Sequence, residues 1–140
     1  MTSPDYKAIA NKILDLLKAD TTLSAAVKKW CFGIPVRFDL FPLVYVKWVG
    51  GPVEPGTAAK EVYEIRFHVA VIDRHHDEDV AEKTVMDYSV KIDDVLDANP
   101  TLGGNVDDSW VERIEAEATA MGDYAVSGVR FTLYTRKIVT

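Results

Sequence analysis

Two histidines stand among carboxylates in the run Asp73-Arg74-His75-His76-Asp77-Glu78-Asp79. Imidazole and carboxylate both ligate divalent metals, so here the residue types come nearest to chemistry. Their spacing argues the other way. Adjacent His75 and His76 lack the i, i+4 separation that sets two ligands on one helix face, and no H-E-x-x-H pattern is present. The simpler reading is a solvated strand-to-helix loop in which Asp77 or a neighbour caps the helix. A metal-binding module built on His75, His76 and Asp77 is the alternative of a different class.

The remaining reactive types form no constellation. Cys31 is the single cysteine, so no internal disulfide is possible. Flanked by Trp30 and Phe32, it reads as a small apolar side chain rather than a nucleophile. His68 lies mid-strand without a sequence-adjacent partner and reads as a sheet-face or interface residue. There is no G-x-S-x-G elbow, and Gly50-Gly51 and Gly103-Gly104 lack the residues that complete a phosphate-binding loop. The pairs Asp93-Asp94 and Asp107-Asp108 read as wet surface. No catalytic, cofactor-binding or metal-ligating residue is assigned, no cofactor is expected, and the chain reads as a non-enzyme.

The elements that would position any site can be traced along the chain. Ile9, Ile13, Leu16 and Leu17 form one apolar stripe and predict a helix over residues 5–17, with Pro4 in its first turn and Ser3 as cap. Asp20-Thr21-Thr22 breaks it and predicts a second helix over 23–29, with Leu23, Ala26, Val27 and Trp30 on its apolar side. Pro35 and Pro42 exclude a helix between Gly33 and Phe41. Residues 43–49 are a strand by β-branched and aromatic content, and residues 50–57 are a loop by composition.

Alternation of Tyr63, Ile65, Phe67, Val69 and Val71 marks a strand over 61–72. Its other face passes from Glu64, Arg66 and His68 to Ala70 and Ile72. Ala81, Val85, Tyr88, Ile92 and Val95 then predict a long helix over 77–97, its acidic start favoured by the helix dipole. A strand over 109–118 is expected to place Trp110, Ile114 and Ala116 on one face and Val111 on the other. A hairpin at 120–123 leads into a last strand over 124–138, where Gly128 suggests a bulge. The order α-α-β-β-α-β-β predicts an α+β fold, a mainly antiparallel sheet with helices packed on one side.

At 140 residues, 48% of them hydrophobic, the chain is expected to form a single domain over 1–140. No apolar run reaches the ~18 residues that would span a bilayer, and the first residues lack a secretory signal pattern. No membrane partner is expected, and synthesis in a cytoplasm is. The net charge of −6 is unevenly spread: residues 1–72 carry +2, residues 73–123 carry −11, and residues 124–140 carry +3. An acidic middle argues against gripping nucleic acid, which requires clustered Lys and Arg. It suits standing beside DNA without sticking, or docking on a basic protein surface.

With catalysis unsupported, assembly remains. Trp30, Trp48 and Trp110 are either core or interface aromatics. Tyr45, Lys47, Arg66 and His68 are polar or amphipathic groups on expected strands, as a sheet shared with a neighbour would carry. Val95-Leu96-Asp97-Ala98-Asn99-Pro100-Thr101-Leu102-Gly103-Gly104 is a hard stop between the long helix and the closing hairpin.

The succession of features resembles the tail-terminator, or tail-completion, proteins of long-tailed bacteriophages and related viruses. It comprises the helix ending Ile13-Leu14-Asp15-Leu16-Leu17-Lys18-Ala19-Asp20, the strand opening Phe41-Pro42-Leu43-Val44-Tyr45-Val46, and a loop. A long strand ending Phe67-His68-Val69-Ala70-Val71-Ile72-Asp73 comes next, then the Ala81-Glu82 helix, the Val95–Gly104 stop and a final hairpin. The resemblance rests on order and spacing.

It implies a virion structural protein of the neck and tail, assembled in the host cytoplasm. Such proteins form homo-oligomeric rings, commonly hexamers, that cap the tail tube, end its polymerisation and offer the head-docking surface. The implied partners are further copies of the chain, the tail tube protein and the head-completion or connector proteins. DNA would pass through the lumen without specific binding, repelled by part of the acidic segment. The loop Gly50–Lys60 and the sheet edges are the expected contact elements. A head-closure or adaptor protein of the same neck is the nearest alternative.

Overall fold

The computed structural model describes residues 3–56 and 59–140, and Met121 by its backbone only. In chain order the elements are α1 (Tyr6–Ala19), α2 (Thr21–Ala26), β1 (Lys29–Phe32), β2 (Leu43–Gly50), β3 (Val53–Pro55), β4 (Glu61–His75), α3 (Glu78–Asp97), β5 (Asp108–Met121) and β6 (Tyr124–Val139). The strands form one sheet in the order β1-β2-β4-β6-β5, with β3 paired to the start of β4. Every pairing is antiparallel except β1 with β2. The helices pack on one side, α1 against β2 and α3 against β4, β6 and β5. This is the expected α+β architecture.

The β4–β6 pair is its spine, in unbroken register from Glu61 opposite Val139 to His75 opposite Ala125. Along β4 the alternation predicted from sequence sets Ile65, Phe67, Val69 and Val71 into the core, where they meet Phe131 and Leu133 of β6. α3 adds Val85, Ile92 and Leu96, and α1 adds Ile9, Ile13, Leu14 and Leu17. Burying each such side chain removes apolar surface from water and contributes roughly 1.5–3 kcal/mol.

Several expectations are corrected. The α1 cap is Asp5, whose carboxylate accepts from the Ala8 amide at 3.0 Å, rather than Ser3. α2 ends at Ala26, and Trp30 lies on β1 instead of a helix face. The β-forming run Trp30-Cys31-Phe32 pairs with β2 once Val27 leaves helical angles. The loop after β2 contains β3, because Gly51 approaches β4 so closely that a Cβ would strike the Glu64 carbonyl.

Gly128 sits in regular register, opposite Ile72 and Glu117. The bulge lies on β5, between Val111 and Arg113. One extra residue there reverses the facing of the rest of the strand. Trp110 therefore pairs with Tyr134 on the outer face, while Val111, Ile114 and Ala116 pair with Leu133, Phe131 and Val129 on the helix side.

The Val95–Gly104 stop is as expected. α3 ends at Asp97, and the Asn99 side-chain amide donates to the Val95 carbonyl at 2.7 Å. Leu102, in the left-handed region at φ 47°, turns the chain and plugs its own side chain fully into the core.

A candidate assembly interface

The histidine run is occupied by local structure. Asp77 caps α3, accepting from the Asp79 amide at 3.0 Å, and the His75 Nδ1 accepts from the Asp77 amide at 3.1 Å. His76 stacks on Tyr124 with ring centroids 4.4 Å apart. Both His75 and Asp77 thus spend a ligating atom on the turn. Among the described residues no three His, Cys, Asp or Glu side chains converge as a metal site requires. Asp77 caps the helix as the spacing favoured, and His75 and His76 are engaged beside it by the turn and by Tyr124.

The outer face of the sheet, opposite the helices, holds the polar strand residues singled out from sequence. Lys47 stands opposite His68, Tyr45 opposite Ala70, and Arg66 opposite Tyr134. Charges there pair across strands: Arg66 Nε to Glu112 at 2.7 Å and Arg130 to Glu115 at 3.1 Å. The Tyr134 hydroxyl donates to Glu64 at 2.9 Å, and its ring lies 4.2 Å from that of Trp110. Burial pushes the His68 pKa down, and the nearby Arg130 and Lys47 charges push it further. His68 is therefore neutral at pH 7 and adds no charge to this face. Arg66 and Arg130 are thus paired with carboxylates across strands, while the Arg130 Nε is buried without a hydrogen-bond partner.

A second polar group lies beneath the helices. Asp73, opposite Ser127 on the helix side, is almost fully buried, and burial raises its carboxyl above the ordinary aspartate range. The adjacent Ser127 hydroxyl is buried without a hydrogen-bond partner. Tyr88 of α3 is pushed up by its own burial and by the Asp73 charge. This trio sits under α3, and its Ser127 is among the residues that line the hollow between α3 and β5.

The two edges of the sheet are unlike each other. At the β1 edge, Tyr6 of α1 stacks on Trp48 of β2 at 4.8 Å, and these two with Ala10 and Phe32 line an apolar hollow. Phe32 and Trp48 are both more than half exposed. Trp30 is the most enclosed tryptophan, packed on the core with the Lys18 ammonium 5.8 Å above its ring. From this edge leaves the segment 33–42. Lys29 pins it by hydrogen bonds to the Arg37 carbonyl at 3.2 Å and the Asp39 carboxylate at 2.8 Å. Its Ile34, Val36, Phe38 and Leu40 side chains are all exposed, Val36 by 99%.

At the β5 edge the helix side of the strand runs past the cover of α3. Ile114 is 56% exposed and Met86 of α3 58%. Beside Met86 runs a groove lined by Glu82, Val85, Ala116 and Ala118, and a second hollow further along the helix is lined by Asp93, Asp97, Trp110 and Val111. The expected loop Gly50–Lys60 is largely tied down, since β3 pairs with β4 from Val53 opposite Tyr63 to Pro55 opposite Glu61. Its Thr57 and Ala58 lie outside the described residues. The segment 33–42 is not among the contact elements expected from sequence, although its alternation of apolar and polar residues is the signal that could have found it.

No protein-family model matches the chain, and no curated protein matches it. Among solved structures it is similar to a chain described as "Virion of native gene transfer agent (GTA) particle". The two superpose with a TM-score of 0.57 at 17% sequence identity, over 94% of this chain and 98% of the other. At that identity the likeness is one of fold, and it runs from end to end of both chains.

Proposed function

We propose that the chain is a structural protein of a phage-like virion, and within it the ring that caps the tail tube. One observation carries the virion reading: the whole α+β fold is shared with a chain of a gene transfer agent virion over nearly the full length of both. The surface chemistry supports a binding rather than a catalytic role. Arg66 and Arg130 are paired with carboxylates on the outer face, and large apolar side chains are exposed at the two sheet edges.

The finer reading follows from the resemblance to tail-terminator proteins. A subunit with different edges associates head to tail, and such an interface makes a ring when its rotation closes. One face of the ring would match the last layer of tail tube protein, and the other would receive the head-completion proteins. Stopping polymerisation needs no chemistry, only a second face that fails to complement the tube. Exposed carboxylates turned to the lumen, such as Asp87 and Asp94 of α3, would keep DNA moving without adhesion.

Particles assembled without this chain test the reading. Tails of uncontrolled length, or tails that fail to join heads, are expected by electron microscopy. Normal virions would overturn it, and correct tails with heads that leak DNA would favour a head-closure role instead.

A further inference from the structure

We infer that the exposed segment 33–41 of one copy seats in the α3–β5 groove of the next copy, and that this is the contact that builds the assembly. The inference rests on the ring reading above and names its interface.

Ile34, Val36, Phe38 and Leu40 alternate with Pro35, Arg37 and Asp39, and all four apolar side chains face solvent. Pro35 and Pro42 forbid the helix that would have folded them inward. Contiguous exposed apolar surface of this kind marks an interaction site. Lys29 holds the run at its middle, at the Arg37 carbonyl and the Asp39 carboxylate.

The groove on the opposite edge is its complement in apolar character and in charge. Ile114, Ala116 and Ala118 follow one another along the helix side of β5 at two-residue spacing. Met86 forms the far wall. From α1 to the end of β1 the chain carries five lysines and two aspartates, one of them the α2 cap Asp20, and on the segment itself Arg37 and Asp39 cancel. α3 and β5 together carry eleven acidic and three basic side chains. Glu82 borders the groove, and Asp93 and Asp97 border the neighbouring hollow along α3.

The occupant is therefore a second copy. Every copy carries the apolar segment on a basic edge and the acidic, apolar groove on the other. β1 and β5 are the two ends of the strand order, so one subunit does not close the pair within itself. Asp87 and Asp94, further round α3, stay outside the contact.

Sedimentation velocity on the purified chain and two exposed-site variants tests this. Val36→Glu spoils the segment, and Met86→Lys spoils the groove. The wild type should assemble, and each variant alone should associate at least about tenfold more weakly, with an unchanged circular dichroism spectrum. Arg37→Glu is a second segment variant and should act in the same direction. An equimolar mixture of Val36→Glu and Met86→Lys has one intact groove and one intact segment, so it should form dimers and nothing larger. A segment variant that assembles like the wild type, or a mixture that stays monomeric, overturns the contact and leaves the ring reading standing. A wild type that is monomeric at every concentration removes both.

Discussion

α3 and the segment 33–42 each carry the chain from one strand to another, and they treat apolar residues in opposite ways. α3 repeats its apolar side chains at helical spacing, and Ala81, Val85, Ile92 and Leu96 all end in the core. The segment alternates Ile34, Val36, Phe38 and Leu40 at strand spacing, and all stay in solvent. The difference is topological. β1 and β2 are parallel, so the chain must run back before β2 begins, and prolines deny it the helix that usually fills such a crossover. A helix buries its stripe on its own sheet, whereas an irregular return segment outside the sheet leaves its side chains for something else to cover.

Substitutions can break or sharpen that contrast. The largest loss is expected where α3 meets the spine. Phe67→Ala should cost about 3–5 kcal/mol and Ile92→Ala about 2–5 kcal/mol in chemical denaturation. Loss of less than half of either range would mean the core is looser than its burial implies. Asp77→Ala removes the α3 cap and should cost about 1 kcal/mol, read in the same experiment.

Asp73→Asn should show its effect through pH. Burial raises the Asp73 carboxyl in the folded state, so the fold holds that proton more tightly than the unfolded chain does. The resulting stability is present in full below the unfolded value, near 3.8. It is lost as pH rises through the folded value. The Asn variant lacks that loss, so its stability relative to wild type should climb as pH rises out of the acid range. A constant difference across pH would place the Asp73 charge in water. The smallest change in stability is expected for Val36→Glu, within about 0.5 kcal/mol, because the side chain touches almost nothing in its own subunit. A cost equal to that of Ile92→Ala would show that the segment packs at home after all.

Much of this fold is legible from the residues because burial and period coincide. The alternation from Tyr63 to Val71 and the stripe from Ala81 to Val95 each locate an element and its core face. Three features are hidden for physical reasons. β1 reads as helix because Val27 and Trp30 continue an apolar stripe past the point where Val27 turns extended. The facing of β5 escapes the alternation because one extra residue at the bulge moves Ile114 and Ala116 to the opposite side from Trp110, and no residue type announces it. The β3 pairing depends on how closely Gly51 approaches Glu64, which composition reads only as loop.

The proposed interface is legible in part. The sheet edges are expected contacts from topology alone, and both carry exposed aromatic or aliphatic side chains. The segment 33–41 is easily passed over because two prolines mark it as connection, and connections are ordinarily polar. Its apolar alternation is the available signal. The histidine run draws attention through residue type, yet its geometry serves the start of α3.

The central claim is that this chain is a built-in part of a virion, seated where tail meets head. Gold-labelled antibody against the chain, applied to purified particles and imaged by electron microscopy, tests it most directly. Label at the head-proximal end of the tail is the predicted result. Unlabelled particles, with the chain found only in the soluble fraction of the lysate, would contradict it.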